Sequence, residues 1–359
     1  MKKIIVSVTN DLSTDQRVAK VCDTLHKSGF DILLVGRKLT TSLPVNRNYT
    51  TKRLNLLFNK GFLFYAEYNT RLFFLLLFSK KDILLANDLD TLLPNFIISK
   101  LQGKKLVFDS HELFSEIPEL AHKKRVQWFW KKLETLLIPE VKNGITVCES
   151  IAEYYKKLYN GDFIVVRNLP LKQKNNSLKK NLNFNKKIIL YQGSVNIGRG
   201  LELMIDTIKF LDDFLFLIVG DGDITQQLKK IVQIKKLENK VIFYGKVNPE
   251  ELKNITPNAV LGISLEEDLG LNYRFTLPNK IFDYIQAEVP ILVSNLPEMK
   301  QIILDYKVGE ITTNRTPKDI AYQIQNITQK DFSDALKRAK SELIWENEEQ
   351  ILLSIFSSL

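Results

Sequence analysis

Apolar residues in this chain fall into short β-branched runs separated by longer stretches of helical period, and the alternation occurs twice. In the first half the runs at 3–8, 31–35, 83–86, 105–109, 144–148 and 163–166 predict strands. In the second half strands are expected at 187–191, 214–219, 240–243, 259–264 and 290–293. Strands alternating with helical patterns are the signature of parallel sheets wound by helices. Between the halves, 168–187 turns polar, with Pro170, six asparagines and several lysines, as a linker does. The pattern predicts an α/β chain of two Rossmann-like domains, at 1–168 and 185–341, joined by a linker at about 168–186. Sites of such sheets lie beyond the carboxyl ends of the strands, so the informative residues should directly follow them.

Composition changes little in this picture. A chain of 359 residues, 45% hydrophobic and 26% charged, has the length for two globular domains. Its two cysteines, Cys22 and Cys148, sit in apolar stretches and read as buried thiols of a reducing compartment. The N-terminal apolar run stops at Asn10 and Asp11 with no cleavage site after it, and reads as a first strand. The Phe- and Leu-rich stretch 61–78 is interrupted by Glu67, Asn69 and Arg71, so no transmembrane helix is expected. The net charge of +10 implies an anionic partner. Its dispersal argues against nucleic acid.

The second half carries the sharper chemistry. The turn 191–200 holds Gly193, Gly198 and Gly200, which let the backbone approach a diphosphate, and Arg199, which supplies charged donors. A plain strand-to-helix turn would use the same glycines. Gly220, Asp221 and Gly222 form a second glycine turn at a strand end. Pro278 opens a helix in which Lys280 occupies the first turn, where the helix dipole disfavours a cation, so an anionic partner is expected. Asp283, on the same face, has the chemistry to bind ribose hydroxyls. A surface Lys and Asp pair is the plainer alternative.

With these residues in view, the sequence resembles family 4 retaining glycosyltransferases of the GT-B fold over nearly its whole length. The motifs that carry the resemblance are the turn 193–200, Gly220–Gly222 and the helix opening at Pro278, Asn279 and Lys280. In the first half, 10–17, 86–90 and 108–114 resemble a bacterial subgroup. Trp345, Glu346, Asn347 and Glu348 begin an ending similar to the family's terminal helix, which crosses back to the N-terminal domain at about 342–359. The resemblance implies two Rossmann-like domains facing across a cleft, acceptor domain first and donor domain second. It makes Arg199 and Lys280 the diphosphate clamp, Asp283 the ribose ligand, and Gly193, Ser194, Gly198, Gly200, Gly220, Asp221, Gly222 and Asn279 the rest of the donor site. His111 would face the transferred sugar, with Asn87, Asp88 and Glu112 beside it and Asn10, Asp11 and Arg17 in the first turn; a core or capping role for His111 and Glu112 stays open. N-capping by Ser13 or Thr14 would account for part of that first turn. Two positions depart from the family pattern. Asp283 replaces the second of two glutamates spaced by seven residues, with Phe275 at the first, and Ser194 replaces an arginine.

The implied reaction moves a sugar from a nucleoside diphosphate sugar to an acceptor hydroxyl with retention, in cell-surface polysaccharide or glycolipid synthesis. Stabilising the departing diphosphate is the main task, and Arg199 and Lys280 can perform it without a metal or cofactor. Asp88 with Asp90, or Asp221 with Asp223, has Asp-x-Asp spacing, but two Rossmann halves argue against a metal-dependent single-domain enzyme. A nucleotide-sugar 2-epimerase and a non-catalytic sugar-nucleotide-binding subunit are the alternatives. Finally, 121–132 sets Lys123, Lys124, Arg125, Lys131 and Lys132 around Trp128, Phe129 and Trp130. With 55–81 this suits an interfacial helix. The expected partners are a nucleotide-sugar donor, a glycan or lipid-linked acceptor and an anionic membrane surface. The expected location is cytoplasmic, peripheral on the inner face of the membrane.

Overall fold

The computed structural model describes residues 1–117, 120, 123–172, 180, 182 and 184–359. Most of the expected linker, and Ala121 and His122 of the basic aromatic stretch, lie outside the described residues. The chain divides into two compact units, Met1–Asn168 with Asn347–Leu359, and Leu169–Glu346.

The first unit is built on seven parallel strands: β1 (Lys3–Asp11), β2 (Asp31–Lys38), β3 (Thr50–Asn55), β4 (Ile83–Asn87), β5 (Lys105–Ser110), β6 (Gly144–Thr146) and β7 (Phe163–Val165), in the order β3-β2-β1-β4-β5-β6-β7. Its helices are α1 (Gln16–Lys27), α2 (Gly61–Phe78), α3 (Leu89–Gln102), α4 (Lys124–Leu137) and α5 (Glu149–Tyr159). The cap of α1 is Asp15, whose Oδ1 accepts from the Val18 amide at 3.1 Å. Neither Ser13 nor Thr14 fills that role, because the helix begins at Gln16 and leaves both residues in the turn before its cap.

The second unit holds six parallel strands: β8 (Lys187–Gln192), β9 (Phe214–Val219), β10 (Val241–Gly245), β11 (Ala259–Ser264), β12 (Ile291–Val293) and β13 (Gly309–Ile311), in the order β10-β9-β8-β11-β12-β13. Its helices are α6 (Leu201–Thr207), α7 (Thr225–Ile234), α8 (Pro249–Ile255), α9 (Leu271–Arg274), α10 (Asn279–Gln286), α11 (Pro297–Tyr306), α12 (Pro317–Ile327) and α13 (Ser333–Glu342). Strand β9 shows why both faces need helices. Phe214, Phe216 and Ile218 join one core, Leu215, Leu217 and Val219 the other, and all six are buried. Each such side chain contributes roughly 1.5–3 kcal/mol of transfer free energy.

The last helix, α14 (Trp345–Ser357), belongs to the first unit from Asn347 on. There Glu348 accepts from the Arg167 amide and Nε, both at 2.9 Å, and Glu349 accepts from Thr24 Oγ1 at 2.7 Å. Phe356 meets Phe30 edge to face. Among the described residues, no helix is long and apolar enough to cross a membrane.

Candidate functional site

In the second unit the candidate residues gather where β8, β9 and β11 end. The turns after β8 and β9 cross backbone on backbone: a Cβ at Gly220, whose φ is 145°, would lie 1.9 Å from the Gly193 carbonyl oxygen. One at Gly222 would lie 2.5 Å from the Val195 carbonyl oxygen. Farther along, Gly200 at φ 72° passes so close to Leu265 that a Cβ would be 2.2 Å from its carbonyl oxygen. The glycines thus press the loop onto the ends of β9 and β11, while Gly193 and Ser194 stay exposed. Asp221 is spent locally, its Oδ1 accepting from the Gly222 amide at 2.9 Å and Thr225 Oγ1 at 2.7 Å.

Lys280 and Arg199 converge on a residue the sequence did not single out. Glu266, wholly buried just after β11, accepts from Lys280 Nζ at 2.5 Å through Oε1, and Arg199 Nη1 lies 3.7 Å from the same oxygen. Its Oε2 accepts from Ser264 Oγ at 2.7 Å. Its backbone carbonyl accepts from Ser294 Oγ at 2.6 Å and Arg315 Nη1 at 3.3 Å. The cations also lie over rings, Lys280 Nζ 4.4 Å from the Tyr191 centroid and Arg199 Cζ 5.1 Å from that of Tyr273. Burial pulls the Lys280 ammonium below its ordinary pKa and Glu266 opposes the pull. Burial likewise penalises the Glu266 carboxylate, but Lys280, Arg199 and Ser264 together hold it below the usual range. The anionic partner expected for Lys280 is therefore present within the protein. Glu266 carried one sequence signal, its in-phase spacing from Ser264 at the end of an apolar strand.

Asp283 has a second missed partner. Its Oδ2 accepts from Gln192 Nε2 at 3.0 Å, and Gln192 Oε1 accepts from Thr256 Oγ1 at 2.9 Å. Buried Gln192 thereby fixes how the carboxylate of Asp283 is turned. Asn279 is exposed at the start of α10, and Phe275 closes α9.

In the first unit, β1, β4 and β5 bring a polar cluster together. Asn87 and Asp109 are register partners. Asp88, at φ 57°, holds a backbone conformation uncommon for a residue with a side chain. Its amide donates to the Asp109 carbonyl at 2.9 Å, and its Oδ1 accepts from the His111 amide at 2.8 Å. The His111 ring lies between two carboxylates: Nδ1 is 3.3 Å from Asp88 Oδ2, and Nε2 is 3.2 Å from Asp109 Oδ2, off the line of a hydrogen bond. Burial opposes a charge on that ring, yet Asp88 and Asp109 hold its pKa well above the imidazole value. Two carboxylate neighbours suit an imidazolium rather than a proton acceptor.

Arg17 reaches the same cluster from α1 and is consumed by it. Its Nε and Nη2 donate to Asp109 at 3.2 and 2.8 Å, and Nη1 donates to the Val166 carbonyl at 2.8 Å. Asp11 accepts from the Ser13 amide and from Ser42 Oγ, and Asn10 donates to Asp15 on the exposed side of the turn. Asn87 donates to the Ser7 carbonyl at 3.0 Å while its buried Oδ1 makes no hydrogen bond. Glu112 is half-buried beside His111. Beneath them Asp90 accepts from Thr9 Oγ1 at 2.6 Å; burial, with Asp88 adding to it, pushes its carboxyl up to about 8.

Residues 172–342 match the model of the family described as Glycosyl transferases group 1. The sequence matches no curated protein. Among solved structures, the chain is similar to a sucrose-phosphate synthase from Thermosynechococcus elongatus, at 14% identity and TM-score 0.81 with all of both chains covered. It is also similar to a glycosyltransferase from Rickettsia africae ESF-5, at 14% identity and TM-score 0.74 over 99% of this chain and 98% of that one. A third is HepE of Anabaena in complex with UDP-glucose, at 14% identity and TM-score 0.72 with both chains fully covered.

Proposed function

We propose that this chain, a glycosyltransferase of the GT-B fold carrying a group 1 domain, moves a sugar from a nucleoside diphosphate sugar to an acceptor hydroxyl, with retention and without a metal. The observation that carries this reading is the meeting of Arg199 and Lys280 at Glu266, beside the turn where Gly193 and Ser194 are exposed. As the bond to the sugar breaks, negative charge grows on the departing diphosphate, and two fixed cations stabilise it. Asp283, turned by Gln192, would accept hydrogen bonds from ribose. The structures of HepE with UDP and with UDP-glucose support a donor of this class. In the first unit, His111, Asn87 and Asp88 are assigned to the sugar or acceptor side.

The same reading places the enzyme in cell-surface glycan or glycolipid synthesis, held peripherally on an anionic cytoplasmic membrane face. Along α4, Trp128 and Phe129 are 64% and 39% exposed, whereas Trp130 is buried against Tyr65 and Phe114. The ring of Phe129 meets that of Phe62 at the start of α2, where Leu57, Phe58 and Leu63 are also exposed. Basic residues flank this apolar patch, as an anionic interface favours.

The test is a thermal-shift screen of nucleoside diphosphates and their sugars, followed by product analysis with acceptors. Bound donor raises the melting temperature by mass action. Epimerised donor without acceptor would favour the 2-epimerase, and donor binding with no turnover across an acceptor panel would favour a non-catalytic subunit.

A further inference from the structure

Lys280 is 8% exposed, and Glu266 beneath it is fully buried. The groups facing the ammonium come from three elements: Glu266 after β11, Arg199 from the loop after β8, and the ring of Tyr191 at the end of β8. Behind Glu266 lie Ser264, Ser294 and Arg315, with Glu267 acting on Arg315. Of the three groups facing the ammonium, Glu266 alone is an anion; Arg199 repels a proton on Lys280, and the Tyr191 ring is a neutral face that attracts the cation weakly. Burial disfavours that proton as well. A lysine so placed tends toward the neutral amine, a poor partner for phosphate.

From this we propose that Glu266 is a positioning residue of the donor site, a buried countercharge that keeps Lys280 cationic and aimed while itself touching no substrate. The ammonium has three donors, and Glu266 takes one. Two are left for a phosphate. With Oε2 held by Ser264 and the backbone carbonyl held by Ser294 and Arg315, the carboxylate cannot swing away with the lysine. The inference rests on reading Lys280 as a phosphate contact, and the experiment separates the two.

Inorganic pyrophosphate is titrated calorimetrically into the wild-type protein and Glu266→Gln between about pH 6 and 10. In the wild type, binding weakens on the alkaline side as Lys280 loses its proton. In Glu266→Gln that weakening should begin about 1 pH unit lower or more, since an opposite charge in contact shifts a titration by that order. Adding Lys280→Arg to Glu266→Gln should abolish the shift, because a guanidinium stays charged throughout. If Glu266→Gln does not fold, Glu266→Asp, which draws the carboxylate back, should move the limb the same way by less. Pyrophosphate binding with the wild-type alkaline limb in a folded variant overturns the role of Glu266 alone. Failure of the wild type to bind pyrophosphate at neutral pH overturns the reading of Lys280 and the inference with it.

Discussion

Arg17 and Asp109, 92 residues apart in sequence, form a two-bonded ion pair with 5% and 1% of their side-chain surfaces exposed. Removing one partner leaves the other charged and buried. Arg17→Ala should therefore cost about 3–5 kcal/mol of unfolding free energy in urea titration. Arg17→Lys should restore little, since an ammonium cannot make the paired bonds. Burial opposes the Asp109 carboxylate, but Arg17 and His111 hold its pKa below the ordinary carboxylate range. For a depressed carboxyl the stabilisation is present above the unfolded pKa of about 4 and is lost as pH falls below it. An acid limb as steep in Arg17→Ala as in wild type would contradict this account.

Asp90 works in the opposite sense. Its folded pKa of about 8 lies above the unfolded value, so stability is greatest in acid. It drains away as pH rises from about 4 toward 8, because only the unfolded chain ionises there. Asp90→Asn can still accept from Thr9 and carries no proton to lose. Its unfolding free energy should exceed the wild type's at pH 7 by about 4 kcal/mol, three pH units at about 1.4 kcal/mol each, and match it near pH 4.

Arg199→Ala and Lys280→Ala should both abolish most transfer, with kcat falling by about 10²–10³. Their effects on stability should differ. Arg199 is partly exposed and 3.7 Å from Glu266, so its loss should move unfolding by less than about 1 kcal/mol. Lys280→Ala strands Glu266 and should destabilise by about 3 kcal/mol, a loss that Glu266→Gln in the same chain should relieve. Wild-type turnover in either single variant would end the donor-site assignment.

His111→Ala should lower turnover far more than nucleotide affinity, as steady-state kinetics beside titration with a nucleoside diphosphate would reveal. Losses of equal size would mark a histidine that only holds Asp88 and Asp109 in place.

Membrane attachment predicts co-sedimentation with anionic vesicles that weakens in high salt and with neutral lipid. Each basic residue near such a surface is worth about 1 kcal/mol. Trp128→Ala with Phe129→Ala should lower binding and leave the fold intact, since both rings are exposed. No pelleting under any lipid composition would make the patch an ordinary surface.

Much of this was readable in the chain. The apolar runs located the central strands, and Lys280 in a helix's first turn announced an anionic partner. The partner's identity was hidden, because Glu266 stands with Glu267 and Asp268 in what reads as a solvated acidic run. Only the fold shows that it turns inward. Strands β3 and β13 escaped notice for a different reason. Both lie at sheet edges, one polar and mostly exposed or half-buried, the other three residues long. Helical phase, too, was needed to part buried Trp130 from exposed Trp128.

The crossing of Gly193 and Gly220 sets the terms for anyone wishing to retune the enzyme by directed evolution. A side chain at Gly220 would prise apart the ends of β8 and β9 together, so randomising that position discards the scaffold along with the old specificity. Ser194 and Ile197, both exposed between the glycines, and Asn196, half-buried beside them, already carry side chains. Asn196 Oδ1 accepts from the Asp223 amide at 3.2 Å, so a library confined to Ser194 and Ile197 would vary the lip of the turn while leaving the crossing of the two turns untouched.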